Sequence, residues 1–517
     1  MKINFRILLV FHVFCSTFLR GDVRTPAIIG SNMVLQQNQE NKLWGWADQG
    51  ELISVSISDQ SHKTTADSMG KWKVMLAPMS ASPKPMTLKI NQLIYENVLV
   101  GEVWLCSGQS NMAWSLGNAD DADLEVMTAN FPNIRLISIP QVGTQTPQED
   151  FNGRWEKASP VTAKNFSAVG YIFGRTIHQS LKVPVGLIDN AWGGSACEAW
   201  IPRERLGQLE VAKPFMDSWL EIEANYDPVV AEERYEKQKI KWQEKVKKAK
   251  ALGEPKPRAP NRPRNPLTGQ HLPGNLFNGV LNPIIGYGIK GAIWYQGESN
   301  SARGHAYRDV FPLMIQSWRD AWKQGDFSFY WAQLADFREE LMEPASQEWA
   351  ELREAQTYTL DKLKRVGEAV IIDVGEGRDI HPRNKQIVAN RLVRHALAKD
   401  YGMDIPHQSP RYREMEIKEG RIILSFDHVG DGLYTFDIRE PIGFSICGED
   451  KKFVWADAKL IGKDKVEVWS DSIEKPVAVR YAWADNPVCN LYRKDEKITL
   501  PATPFRTDDF PLLSIGR

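Results

Sequence analysis

Long apolar runs, surplus charge of either sign and closely spaced cysteine pairs are all scarce in this 517-residue chain. A formal net charge of −1 leaves no clustered positive surface of the kind that binds nucleic acid or anionic membrane, so neither is expected as a partner. No stretch reads as a membrane span. The one apolar run near the start, Ile7 to Phe14, is too short to cross a bilayer and is interrupted by His12. With Lys2 and Arg6 before it and Ser16 and Thr17 after it, that run reads as an export signal over 1–21, which places the mature chain in a secreted or periplasmic setting. Removing the segment leaves Cys106, Cys197, Cys447 and Cys489, none at the C-x-x-C spacing of a zinc site, so no metal is expected. Cys447 and Cys489 can pair in an oxidising compartment or stand as buried thiols.

The length is too great for one core, and the texture changes twice. Residues 22–100 alternate apolar and polar in short runs ("MVLQQ", "KLWGWA", "LISVSIS", "KWKVMLA", "MTLKI") parted by turn clusters, the pattern of a small β domain. Over 101–410 apolar strand runs alternate with amphipathic helices: "EVWLC", "IRLISI", "VGLIDNA", "GAIWYQ", "FYWAQL" and "AVIIDV". That alternation predicts an α/β fold with a mostly parallel sheet covered on both faces. A charged helix over 231–250 and a proline-rich stretch interrupt it, giving an insertion over 205–270 that is either a solvated surface feature or a cover over a cleft. Short strand patterns return over 411–517 as a second β domain. Eighteen Trp suit large cores, and also sugar-stacking faces.

Sites in open parallel sheets form beyond the carboxyl ends of the strands, so the loops after the strand runs carry the functional argument. Ser107-Gly108-Gln109-Ser110-Asn111 follows "EVWLC". Trp192-Gly193-Gly194-Ser195 follows "VGLIDNA". Gln296-Gly297-Glu298-Ser299-Asn300 follows "GAIWY", and "GEGRDIHP" with Asp379 and His381 follows "AVIIDV". Taken alone, Ser110 suits a helix cap or a turn as well as a nucleophile. Together the loops supply a hydroxyl nucleophile (Ser110), a base (His381), its orienting acid (Asp379) and oxyanion donors. The donors are the peptide N–H groups of Ser110 and Gly194 with an amide of Gln296 or Asn300. Pro382 is expected at the first position of the following helix. Met112, where an α/β-hydrolase elbow needs glycine, and the chain order Ser, Asp, His exclude the α/β-hydrolase, chymotrypsin and subtilisin patterns.

"GQSNM", "GGS…EAW", "WYQGESN" and "DIHPRNKQ" resemble the sialate O-acetylesterase family of SGNH-hydrolase carbohydrate esterases, as do "MVLQQ", "WGWA", "HLPGNLFNGVLNPI" and "RYAWADNPVCNLY" outside the loops. The resemblance implies an SGNH, flavodoxin-like three-layer α/β/α hydrolase domain that needs no cofactor and releases acetate from O-acetylated sugars. It carries the nucleophile to Ser110, the base to His381 and the oxyanion hole to Ser110, Gly194 and the Gln296–Asn300 loop. Many such enzymes place the acid three residues before the histidine, here Arg378. The acid role therefore falls to Asp379, with Asp373 or a Ser–His dyad as alternatives. Arg383 and Arg303 are candidates to pair with a sialate carboxylate. Acetylated xylan or another polysaccharide is the alternative substrate, and a catalytically dead carbohydrate-binding relative or a long-acyl lipase or thioesterase the alternative function.

Overall fold

The computed structural model describes residues 22–516, so the signal segment expected over 1–21 lies outside the described residues. The chain opens with strands β1 (Val34–Gln36), β2 (Asn41–Trp46), β3 (Leu52–Ile57), β4 (Gln60–Thr65), β5 (Lys71–Leu76) and β6 (Ser82–Ile90). Their alternating burial, as in β2, follows the period of two in the sequence. β7 (Leu93–Gly108) then runs sixteen residues without a break, through the boundary drawn at residue 100. Its first half pairs with β6 and β1, and its second half joins a different set of strands.

Those strands are β8 (Phe131–Ser138), β9 (Glu156–Ala158), β10 (Val185–Asp189), β11 (Gly291–Tyr295), β12 (Ser328–Ala332) and β13 (Val366–Ala369). The order is β13-β12-β11-β7-β10-β8-β9; all neighbours are parallel except β8 and β9. The fold is α/β. Residues of alternate parity face opposite sides. Val103 and Leu105 of β7 join Trp294, Phe329 and the helices Gly304–Trp322 and Glu348–Lys362 in one core. Trp104 and Cys106 join Tyr295, Tyr330 and the helices Ala168–Leu181 and Lys385–Lys399 in another. Gly170 makes the second layer possible, since a Cβ there would lie 2.7 Å from Cys106 Sγ. Fully burying side chains such as Phe311 and Ile172 contributes roughly 1.5–3 kcal/mol each.

The connections leave β7 in opposite directions, to β8 and β10 on one side and to β11, β12 and β13 on the other. The carboxyl end of β7 is therefore the switch point where a crevice must open. Two local expectations need correction. The apolar run 369–374 is not a strand: β13 ends at Ala369, and Val370 and Ile372 leave the sheet to pack into the core of the C-terminal strands. Nor does Pro382 begin a helix. The helix starts at Lys385 because Asn384 caps it, its side chain accepting the N–H of Ile387.

In the insertion, helix Pro228–Leu252 buries only Ala249 and is a solvated arm. Residues 411–506 form antiparallel strands, including the sheet Arg411–Lys418, Arg421–Asp427, Lys465–Trp469 and Asp457–Ile461. Cys447 and Cys489 are free thiols, as are Cys106 and Cys197. Among the described residues no helix is long and apolar enough to cross a membrane.

Glu368 on β13 is almost wholly buried and accepts the Trp331 indole N–H at 3.0 Å and the Thr357 hydroxyl at 2.8 Å. Burial raises its carboxyl from 4.5 to about 7. A raised carboxyl stabilises the fold in full below pH 4.5 and loses that contribution as pH rises to 7, because the unfolded chain ionises first. Glu368→Gln is expected to flatten the fall in Tm between pH 5 and pH 8, removing roughly 1–3 kcal/mol of pH dependence. Parallel melting curves for wild type and variant across that range would count against it.

Candidate active site

The site grows out of the end of β7. Gly108 sits at φ +136°, where a Cβ would lie 2.2 Å from the Tyr295 carbonyl, so only glycine lets β7 and β11 stay paired here. The Gln109 N–H donates to that same carbonyl at 2.9 Å, and the Trp192 N–H donates to the Gly108 carbonyl. The chain then turns into a single helical turn, Ser110–Ala113. As the first residue of that turn Ser110 has an N–H with no helical partner. Among the described residues neither that N–H nor the N–H of Gly194 donates a hydrogen bond. Gly193 lies beside the nucleophile; a Cβ on it would be 3.5 Å from Ser110 Cβ.

His381 arrives from the loop after β13, 271 residues on, and its Nε2 stands 2.8 Å from Ser110 Oγ. Trp114 stacks on the imidazole with ring centres 5.1 Å apart and planes 18° apart. Asp379 Oδ1 accepts the His381 backbone N–H at 2.9 Å and lies 3.4 Å from Nδ1, on a half-exposed side chain. The structure thus brings Ser110, Asp379 and His381 together, with Gly193, the residue before Gly194, beside Ser110.

Gln296 and Asn300 do not supply the oxyanion amide expected of them. Gln296 Nε2 donates to the Ser195 carbonyl and to Asn300 Oδ1, while its Oε1 accepts the Tyr307 hydroxyl. Asn300 Nδ2 donates to both oxygens of Glu198, and its Oδ1 also accepts the Cys197 N–H. Both amides are buried and engaged by these partners. They brace the 195–198 segment that follows Gly194, and Ser299 completes the brace by donating its hydroxyl to the Gly194 carbonyl at 2.9 Å. Asp373, the fallback acid, is held by Arg391 at 2.5 and 2.8 Å, away from the imidazole.

Both arginines considered for a substrate carboxylate already have acidic partners. Arg303 pairs with Glu198 at 3.2 Å, and Arg383 with Glu376 at 3.3 Å. The Arg303 guanidinium lies over the ring of Phe215 at 4.5 Å, so the insertion helix Lys213–Asn225 packs against Arg303. Glu298 and Lys385 have no role in the sequence pattern, and Trp114 is there one Trp among the eighteen. Their spacing carries no motif of its own, and only the fold brings them behind Ser110.

Residues 100–242 match the family described as carbohydrate esterase, sialic acid-specific acetylesterase. The mouse sialate O-acetylesterase is 28% identical over 93% of this chain and 94% of its own length. The human one is 27% identical over 93% and 92%. A solved carbohydrate acetylesterase from Xanthomonas citri superposes with a TM-score of 0.76 and 33% identity, covering 95% of this chain and all of that one. With the serine, the histidine and the glycine loops of that resemblance gathered at the β7 switch point, the chain belongs to the sialate O-acetylesterase family of carbohydrate esterases.

Proposed function

We propose that this protein is a carbohydrate O-acetylesterase that deacetylates O-acetylated sialic acids through a Ser110 acyl-enzyme, without a cofactor. The observation that carries the reading is the 2.8 Å approach of Ser110 Oγ to His381 Nε2. Ser110 Oγ attacks the acetyl carbonyl as its proton passes to Nε2, a general-base contribution of roughly 10²–10⁴-fold. The carbonyl oxygen becomes an oxyanion facing the N–H groups of Ser110 and Gly194, each worth roughly 3–4 kcal/mol in such sites. The imidazolium protonates the departing sugar oxygen; a water, deprotonated by the same nitrogen, then attacks the acyl carbonyl, and the imidazolium returns that proton to Ser110 Oγ as acetate leaves. The residues supporting this reading fit an SGNH-type, flavodoxin-like three-layer hydrolase domain over 101–410, flanked by β domains over 22–100 and 411–517. The basic, apolar start over 1–21 supports export to a secreted or periplasmic location.

The test is acetate release from O-acetylated sialic acid beside acetylated xylan. Faster release from the sialate is expected, and no release from any sugar acetate would end the reading. Asp379 orients the imidazole in this scheme, but from a half-exposed position 3.4 Å away. Asp379→Asn should therefore lower kcat by roughly 10²-fold, less than the ~10⁴-fold of a buried triad acid. A variant within twofold of wild type would transfer the orienting role to a backbone acceptor and leave a Ser–His dyad.

A further inference from the structure

Behind Ser110 and His381 lies a buried charged group that the reaction as described does not use. Lys385 is fully buried at the first position of helix Lys385–Lys399. An ammonium there loses its hydration and faces the positive end of the helix dipole, and burial lowers it to about 7. The acidic groups that act on it are Glu298, Asp379, Glu376 and Asp120. Its Nζ donates to Asn111 Oδ1 at 2.6 Å and lies over the rings of Trp114 and Tyr295 at 5.7 and 5.3 Å. The other end of the Asn111 amide donates to Glu298 Oε1 at 2.5 Å and to the carbonyl of Ile380 at 3.0 Å. Ile380 immediately precedes His381.

A carboxamide flanked by neutral groups can turn end for end. With Lys385 and Glu298 in their charged forms one neighbour can only donate and the other can only accept, so a single orientation satisfies both, and the Ile380 carbonyl, an acceptor only, favours the same one. In that orientation Nδ2 always faces the Ile380 carbonyl. Lys385 also lies against Trp114, the ring stacked on His381. An apolar pair of similar volume would usually serve stability as well or better.

We propose that Lys385 and Glu298 are positioning residues that clamp the Asn111 amide, and through it the Ile380–His381 peptide, so that Nε2 stays within reach of Ser110 Oγ. The clamp rests on the reading of Ser110 as nucleophile and His381 as base. The variant Lys385→Met/Glu298→Gln removes both charges at similar volume. It is expected to keep a wild-type or higher Tm while kcat for an aryl acetate falls about 10–100-fold with KM within about threefold, the scale set by ångström misplacement of a reacting group. Labelling of Ser110 by a fluorophosphonate, which needs the Ser–His geometry but no sugar site, is expected to slow in parallel. Asn111→Ser, too short to reach Ile380, is expected to show the same split, and it decides the matter if the double variant does not fold.

A folded variant that keeps kcat and labelling within twofold overturns the clamp, as does a change confined to KM. Wild type that neither releases acetate nor labels at Ser110 would instead overturn the reading of the site.

Discussion

Purified Ser110→Ala should lose acetate release by about 10⁴-fold or more while folding as the wild type does, because a catalytic serine and its base act as one unit. The structural cost of the change is small. Ser110 Oγ has His381 Nε2 as its hydrogen-bond partner, and its backbone is fixed by Gly108, Gln109 and the turn that follows. The N–H groups of residues 110 and 194 survive the substitution, so a residual rate above the uncatalysed reaction is expected from the oxyanion site alone. The double variant Ser110→Ala/His381→Ala should be no slower than Ser110→Ala, since without the hydroxyl the imidazole has nothing to deprotonate. Additive losses would mean that His381 works through another group. Ser110→Ala as active as wild type toward aryl acetates would remove the acyl-enzyme from the mechanism.

What could be read from the sequence was what local pattern controls. The buried runs of β10, β11 and β12 are legible because short, mostly apolar runs between turn signals have few other fates. The Ser110, Gly194 and His381 loops are legible because they follow such runs. The oxyanion role of Gln296 and Asn300 misled because an amide at a strand end looks the same whether it faces the crevice or its neighbours. Only tertiary partners, Tyr307, Glu198 and the Ser195 carbonyl, decide which. Lys385 was hidden for a related reason. A lysine at a helix start reads as solvated, and nothing in "HPRNK" shows that Asn111 and Glu298 close over it from residues far away in the chain. The run "AVIIDV" failed as a strand because its apolar side chains serve two cores, with Val370 and Ile372 turned toward the C-terminal strands.

That second core bears on catalysis through Arg353, whose replacement by methionine is expected to cost the most stability. Its guanidinium is fully buried on helix Glu348–Lys362 and donates to four main-chain carbonyls. Two, Leu334 and Ala335 at 2.8 and 2.7 Å, follow β12; two, Ala484 and Asp485 at 2.6 and 2.8 Å, lie in the loop after the C-terminal strand Ala478–Tyr481. Burial lowers the guanidinium to about 10, with Asp336 and Asp485 opposing the shift. The two segments it joins hold the histidine loop. Asp336 Oδ1 accepts the Gly375 N–H, the Arg338 N–H donates to the Gly377 carbonyl, and Asn486 donates to the Arg338 carbonyl. Arg353→Met leaves four carbonyls without their donors, at about 3–5 kcal/mol after relaxation. Arg353→Lys keeps the charge but not the planar fork, and should recover part of that loss. The sensitive measurement is amide exchange at Phe337, Arg338 and Asp485, where protection should fall by about 10²–10³-fold while the amides of β7 and β11 keep theirs. Because the loosened segments carry residues 375–377, kcat should fall with that protection even though Arg353 is remote from the reacting atoms. Unchanged protection at those amides would mean that the C-terminal strands dock without Arg353 and that the histidine loop is held by its own contacts.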